Sequence, residues 1–97
     1  MMKFEELSKT IQDKIYNVYK RYKRYYDSWD SATDEAVEYE ALHMFVKAED
    51  ELVELLNKHL GENKEALFEF NDVRKALQNR WLRDIDYWKL TDIERER

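Results

Sequence analysis

This sequence predicts an all-α fold, an elongated antiparallel three-helix bundle, and three observations carry that expectation. The 97 residues include one glycine and no proline, whereas a sheet protein of this length needs several tight turns built from those two residues. Apolar residues recur at steps of three and four between charged ones, the period of a helix with one buried side. Three such stretches of matched length follow one another across short polar breaks, which favours neighbours running up, down and up. Together they make one domain, 1–97, with helices at about 3–28, 32–60 and 64–90 and room for a short extra turn at the C-terminus.

The first stretch steps through Phe4, Leu7, Ile11, Ile15, Val18, Tyr22, Tyr25 or Tyr26, and Trp29. Asp27, Ser28, Asp30 and Ser31 then interrupt it. Ser31 is the expected N-cap of the middle helix, with Asp34 three residues on as its acidic partner. The middle stripe is Val37, Ala41, Met44 with Phe45, Ala48, Leu52, Leu55 with Leu56, and His59. It stops at Gly61, suited to the left-handed residue that follows a helix. Asn63 is the expected cap of the third helix, and Glu65 in its first turn favours the dipole. The third stripe is Ala66, Phe70, Val73, Leu77, Trp81, Leu82 with Ile85, and Trp88, and the extra turn would be capped by Thr91 with Glu94.

Composition removes several chemistries. Without cysteine there are no disulfides, thiol nucleophiles, Cys-ligated zinc sites or iron–sulfur clusters, and two histidines do not furnish a zinc site unaided. No apolar run approaches the roughly 18 residues of a membrane span. Met1-Met2-Lys3-Phe4 leads into charged sequence with no secretory apolar core. The expected location is the cytoplasm, that of the host if a phage carries the chain, and no cofactor is expected.

Charge is divided along the chain. Residues 1–29 carry a net +3, residues 30–60 a net −7 and residues 61–97 a net −1, for −5 overall. An acidic whole argues against direct nucleic-acid binding, because phosphate neutralisation supplies most non-specific affinity. The local basic stripe is Tyr16, Lys20, Lys23 and Arg24 on the solvent side of the first helix, where cations could grip phosphates while the ring stacks a base. The acidic face belongs to the middle helix: Asp34, Glu35 and Glu38, then Glu49 and Asp50, with Glu40, Glu51 and Glu54 nearby. Carboxylates arrayed on a rigid helix can imitate the phosphates of a duplex or meet a basic protein.

The middle helix is also apolar over more of its circumference than one neighbour needs. Tyr39, Leu42, Val46, Val53 and Leu60 form a second line about a third of a turn from the first. That line either touches a second neighbour in the bundle or, at Tyr39, Leu42, Val46 and Val53, forms a dimer or partner surface.

Asp50-Glu51-Leu52-Val53-Glu54-Leu55 has the form EExxEL with Asp in first place, and Glu69-Phe70-Asn71-Asp72 follows as ExxD. The pair resembles the motif of MazG-like all-α nucleoside triphosphate pyrophosphohydrolases, over about residues 48–77. The resemblance implies Mg²⁺ held by Glu51, Glu54, Glu69 and Asp72 on facing helices, hard oxygen ligands suited to that ion. Glu54 and Asp72 fall off the apolar stripes, however, whereas that family turns them inward. Glu40 and His43 match the Glu-x-x-His step of di-iron bundles, but the first helix offers no inward acids opposite them. Binding therefore ranks ahead of catalysis: the expected function is that of an adaptor or inhibitor, a small accessory protein whose acidic face engages a basic protein such as a nucleic-acid enzyme. The Mg²⁺-dependent pyrophosphohydrolase is the alternative, and a structural homo-oligomer such as a homodimer the second.

Overall fold

The computed structural model describes the backbone of residues 3–96 and the side chains of residues 3–85. It is an all-α helical bundle built from α1 (Lys9–Ser31), α2 (Glu35–Leu60) and α3 (Asn71–Glu96), with 3-10 turns at Phe4–Glu6 and Leu67–Glu69. Trp88 of the expected stripe, and the Thr91 and Glu94 side chains of the expected terminal cap, lie outside the described residues. The helix itself continues through that segment to Glu96.

Each helix starts later than the expected boundary, and side-chain bonds to backbone account for the shift. Ser8 caps α1, its hydroxyl accepting from the Ile11 amide at 3.3 Å. Phe4 opens the 3-10 turn ahead of it, and Leu7 caps that turn, its N–H donating to the Phe4 carbonyl. At the next junction Ser31 is the last residue of α1, donating to the Asp27 carbonyl at 2.8 Å, and Asp34 is the cap of α2, accepting from the Ala36 amide at 2.8 Å. The expected cap at Ser31 is thus corrected to Asp34.

The third start moves furthest. Asn63, expected as the cap of the third helix, and Ala66 and Phe70, expected within it, lie in the connection before it. Two side chains hold that connection out of helix. The Asn57 amide donates to the Lys64 carbonyl at 2.8 Å and accepts from the Lys64 amide at 2.9 Å. The Glu69 carboxylate accepts from the backbone N–H of Glu65 and Ala66 at 2.7 and 3.0 Å. Such bonds offer the backbone an alternative to the helical ladder.

Gly61 closes α2 as expected, at φ 67°. A Cβ built there meets nothing within 4 Å, so only backbone strain opposes a substitution. Gly61→Ala should cost about 1 kcal/mol, read as a lower urea midpoint at unchanged slope; an unchanged midpoint would show that this cap is not under conformational constraint.

Arg21 stands beside Glu51 and Trp29 beside Phe45, so α1 and α2 run antiparallel along their length. Asp13 meets Arg80 and Tyr16 meets Asp84, numbers rising together, so α3 returns in the sense of α1. The core is one continuous cluster. Ile15, Leu52 and Leu56 are fully enclosed, and Leu7, Tyr16, Val18, Tyr19, Val53, Leu60, Leu67, Phe70, Leu77 and Trp81 complete it. Toward the α1–α2 hairpin tip it thins into a ladder of rings. Tyr16, Tyr19, Tyr22, Tyr26 and Trp29 follow one another at centroid separations of 6.4, 5.9, 6.1 and 5.7 Å. Phe45 of α2 leans on the last three of them.

Candidate partner-binding surface

The main stripe of α2 (Ala41, Ala48, Leu52 and Leu56) is buried where α1 lies against it. The second line, a third of a turn away, divides into two halves. Val53 and Leu60 are buried, in one cluster with Leu67, Phe70, Leu77 and Trp81. Tyr39, Leu42 and Val46 remain exposed, at 74%, 38% and 44%. Val53 is therefore corrected from partner surface to core. The connection after Gly61 folds back over this end of α2, and its Leu67 and Phe70 join Val53 in the core. Toward the N-terminus nothing described covers the line.

Val37 is exposed as well, although its phase places it on the core stripe. Chain path explains this: α1 stops at Ser31 and leaves no helix opposite the first turn of α2. Leu82 is likewise outside the core on α3, and Phe68 projects from the second 3-10 turn. Periodicity alone had no means of finding Val37, because its signal is identical to that of a buried residue.

The acids stand around the bare apolar half. On a helix of 3.6 residues per turn, Glu35 shares the line of Val46. Glu38 and Glu49 flank it on one side and Asp50 on the other. Asp34 is committed to the helix as its cap. Glu35, Glu38, Glu40, Glu49 and Asp50 have no ion-pair partner among the described residues, whereas Glu51 is taken by Arg21 at 3.1 Å. Placing acids in the first turn is locally favourable, since the helix N-terminus carries partial positive charge. Farther along α2 that benefit fades, and Glu49 and Asp50 stand unneutralised.

The basic stripe does not assemble as expected. Tyr16, read as an exposed stacking ring, is 2% exposed. Its hydroxyl donates to Asp84 of α3, and the Arg80 guanidinium lies 4.0 Å from its ring centroid with Lys20 at 5.3 Å. It faces α3, the second neighbour of α1, which a reading with one stripe per helix leaves out. Burial first, and the bond to Asp84 second, push its pKa well above the ordinary tyrosine range. Lys23 is drawn to Asp27 at 3.2 Å and over the Tyr26 ring at 5.2 Å. Arg24 remains exposed. Cations without an accessible ring do not make a stacking platform.

The four carboxylates of the pyrophosphohydrolase resemblance do not converge. Glu51 is paired with Arg21, and Glu69 is spent on backbone amides, which hold its pKa below the usual carboxylate range. Glu69 and Asp72 line a groove of about 620 Å³ with Phe4, Lys64 and Phe70, whereas Glu51 and Glu54 do not reach it. Of the two lysines that line that groove, Lys3 and Lys64, Lys64 is held by Glu62 at 2.7 Å and donates to the Glu69 carbonyl at 3.0 Å. The resemblance implies acids on two facing helices, whereas Glu69 belongs to a 3-10 turn rather than to α3. Among the described residues no three acids or histidines are grouped as metal ligands, Glu40 and His43 included. No helix among them is long and apolar enough to cross a membrane.

Comparison with protein families, characterised proteins and solved structures finds no match to this chain.

Proposed function

We propose that this chain works by binding another macromolecule, a basic protein that docks on the acidic, N-terminal half of α2. One observation carries the reading: unpaired carboxylates surround an exposed apolar line of Tyr39, Leu42 and Val46 on a rigid helix. An apolar strip with a polar rim is the general anatomy of a recognition surface. Here Glu35, Glu38, Glu49 and Asp50 outnumber the one exposed cation of this stretch, Lys47, so the rim selects the sign of the partner and speeds encounter. Because the helix fixes the carboxylates before binding, little ordering entropy is lost. An adaptor or inhibitor of a nucleic-acid enzyme, whose own substrate channel is basic, is the form of this function that fits best. The setting would be the cytoplasm, that of the host if a phage encodes the chain.

The test uses three baits in host lysate: the native chain, Glu38→Lys with Asp50→Lys, and Lys20→Glu with Arg24→Glu. Reversal of the exposed Glu38, Asp50 and Arg24 should leave folding within about 0.5 kcal/mol, and each bait is confirmed as folded because Lys20 lies over the Tyr16 ring. The native chain and the α1 reversal should retain the same basic proteins. The α2 reversal should lose them, with association slowed about tenfold at low salt. Retention by the α2 reversal together with loss by the α1 reversal would transfer the function to the basic stripe.

A further inference from the structure

We infer that the occupant of this surface is an amphipathic helix of the partner, apolar on one face and lysine- or arginine-flanked on both sides, lying along α2. The inference rests on the proposed acidic docking face and specifies the shape of what docks there. It starts from the division of the second apolar line. Its lower half, Val53 and Leu60, is closed by this chain's own connection and by residues of α3. Its upper half, Tyr39, Leu42 and Val46, continues the same line without a cover. The steps of three and four between those residues are the spacing at which one helix receives the side chains of another. From Glu35 to Asp50 the surface is about 22 Å long, which a helix of about 15 residues would span.

Charge decides which helix. Carboxylates stand on both flanks of the line, Glu38 and Glu49 on one and Asp50 on the other, with none of them neutralised among the described residues. In a second copy of this chain, packed here about a two-fold axis, acids would face acids whichever way the helices ran. A partner with cations on both flanks meets each carboxylate with an opposite charge. An extended strand has no edge to join, because no strand occurs among the described residues, and only a helix offers side chains in phase with Tyr39, Leu42 and Val46.

Two labelled synthetic peptides of about 16 residues test this. Both have the same leucine, alanine and lysine content, one patterned as a helix with one apolar face and lysine flanks, the other scrambled to have none. Anisotropy titrations and circular dichroism are read with the native chain, with Val46→Glu and with Leu42→Ser, each confirmed as folded. The patterned peptide should bind, gain helix on binding, and bind the two variants at least tenfold more weakly; the scrambled peptide should bind at least tenfold more weakly than the patterned one. Equal binding of both peptides would overturn the helical occupant while leaving the acidic face as a docking site. Retention of neither peptide would overturn both readings. Self-association in light scattering, abolished by Val46→Glu, would give the surface to a second copy and overturn the inference.

Discussion

Leu52→Ala should destabilise the fold by about 3 kcal/mol and lower its melting temperature by on the order of 15 °C. Leu52 is fully enclosed on the side of α2 that faces α1, in the same cluster as Ile15 and Leu56. Truncation removes buried methyl groups and leaves a space that helices tied on either side do not collapse to fill. A domain of this size holds only about 5–15 kcal/mol in all, so the loss is a large fraction of its stability. Val46→Ala, on the exposed line of the same helix, serves as the control and should stay within about 0.5 kcal/mol. Thermal and urea unfolding followed by helical circular dichroism measure both. A Leu52→Ala melt indistinguishable from that of Val46→Ala would mean that α2 does not pack as described.

Leu52 and Val46 also show what a sequence of this kind discloses. Leu52 was legible because the period places it between other apolar residues on a line that must be covered. The end of α2 was legible because one glycine in 97 residues leaves little choice of stop. The starts were not. Phe4 and Leu7 keep facing the core through a 3-10 turn, so the apolar rhythm runs unbroken past the cap at Ser8. The connection before α3 is set by Asn57 and Glu69 bonding to backbone, and such bonds leave no trace in periodicity. Tyr16 was misplaced for a geometric reason: a helix touching two neighbours at an angle buries two lines, and the stripe accounts for one. At the binding surface, Tyr39, Leu42 and Val46 were legible as a second apolar line. Which half of it stays open depends on where the connection folds back, a property of the whole chain.

Alkaline unfolding should follow from the aromatic ladder. Burial raises the pKa of Tyr16, Tyr19 and Tyr22, in each case as the largest cause, and Tyr19 is pushed up to about 12. Neighbouring acids add to it, Asp84 at Tyr16 and Glu49 at Tyr22, while Arg80 and Arg74 oppose. In the unfolded chain tyrosine ionises near pH 10. Between that pH and 12 the folded state holds protons that the unfolded state has released, so stability falls as pH rises. The contribution is complete below about pH 10 and is lost as the pH climbs through the folded values. Helical circular dichroism and tyrosinate absorbance should therefore change together in a cooperative step above pH 10. Tyr19→Phe, which keeps the ring and removes the ionising hydroxyl, should move that step to higher pH. Full formation of tyrosinate with the helix signal intact would contradict the enclosed placement of these rings.

The pairing of α1 with α2 along their length, with α3 meeting α1 around Asp13 and Tyr16, has a consequence for the order of assembly. The two helices of the hairpin are joined by only Ala32 to Asp34, so their contacts close short loops at small entropic cost. Contacts of α3 with α1, such as Tyr16 to Asp84 across 68 residues, close long ones. Local pairings form before distant ones where the balance is set by loop closure. The hairpin is thus expected to form first and α3 to dock on it, so that in native-state hydrogen exchange the amides of α3 should exchange before those of α1 and α2; equal protection of all three helices would contradict this order.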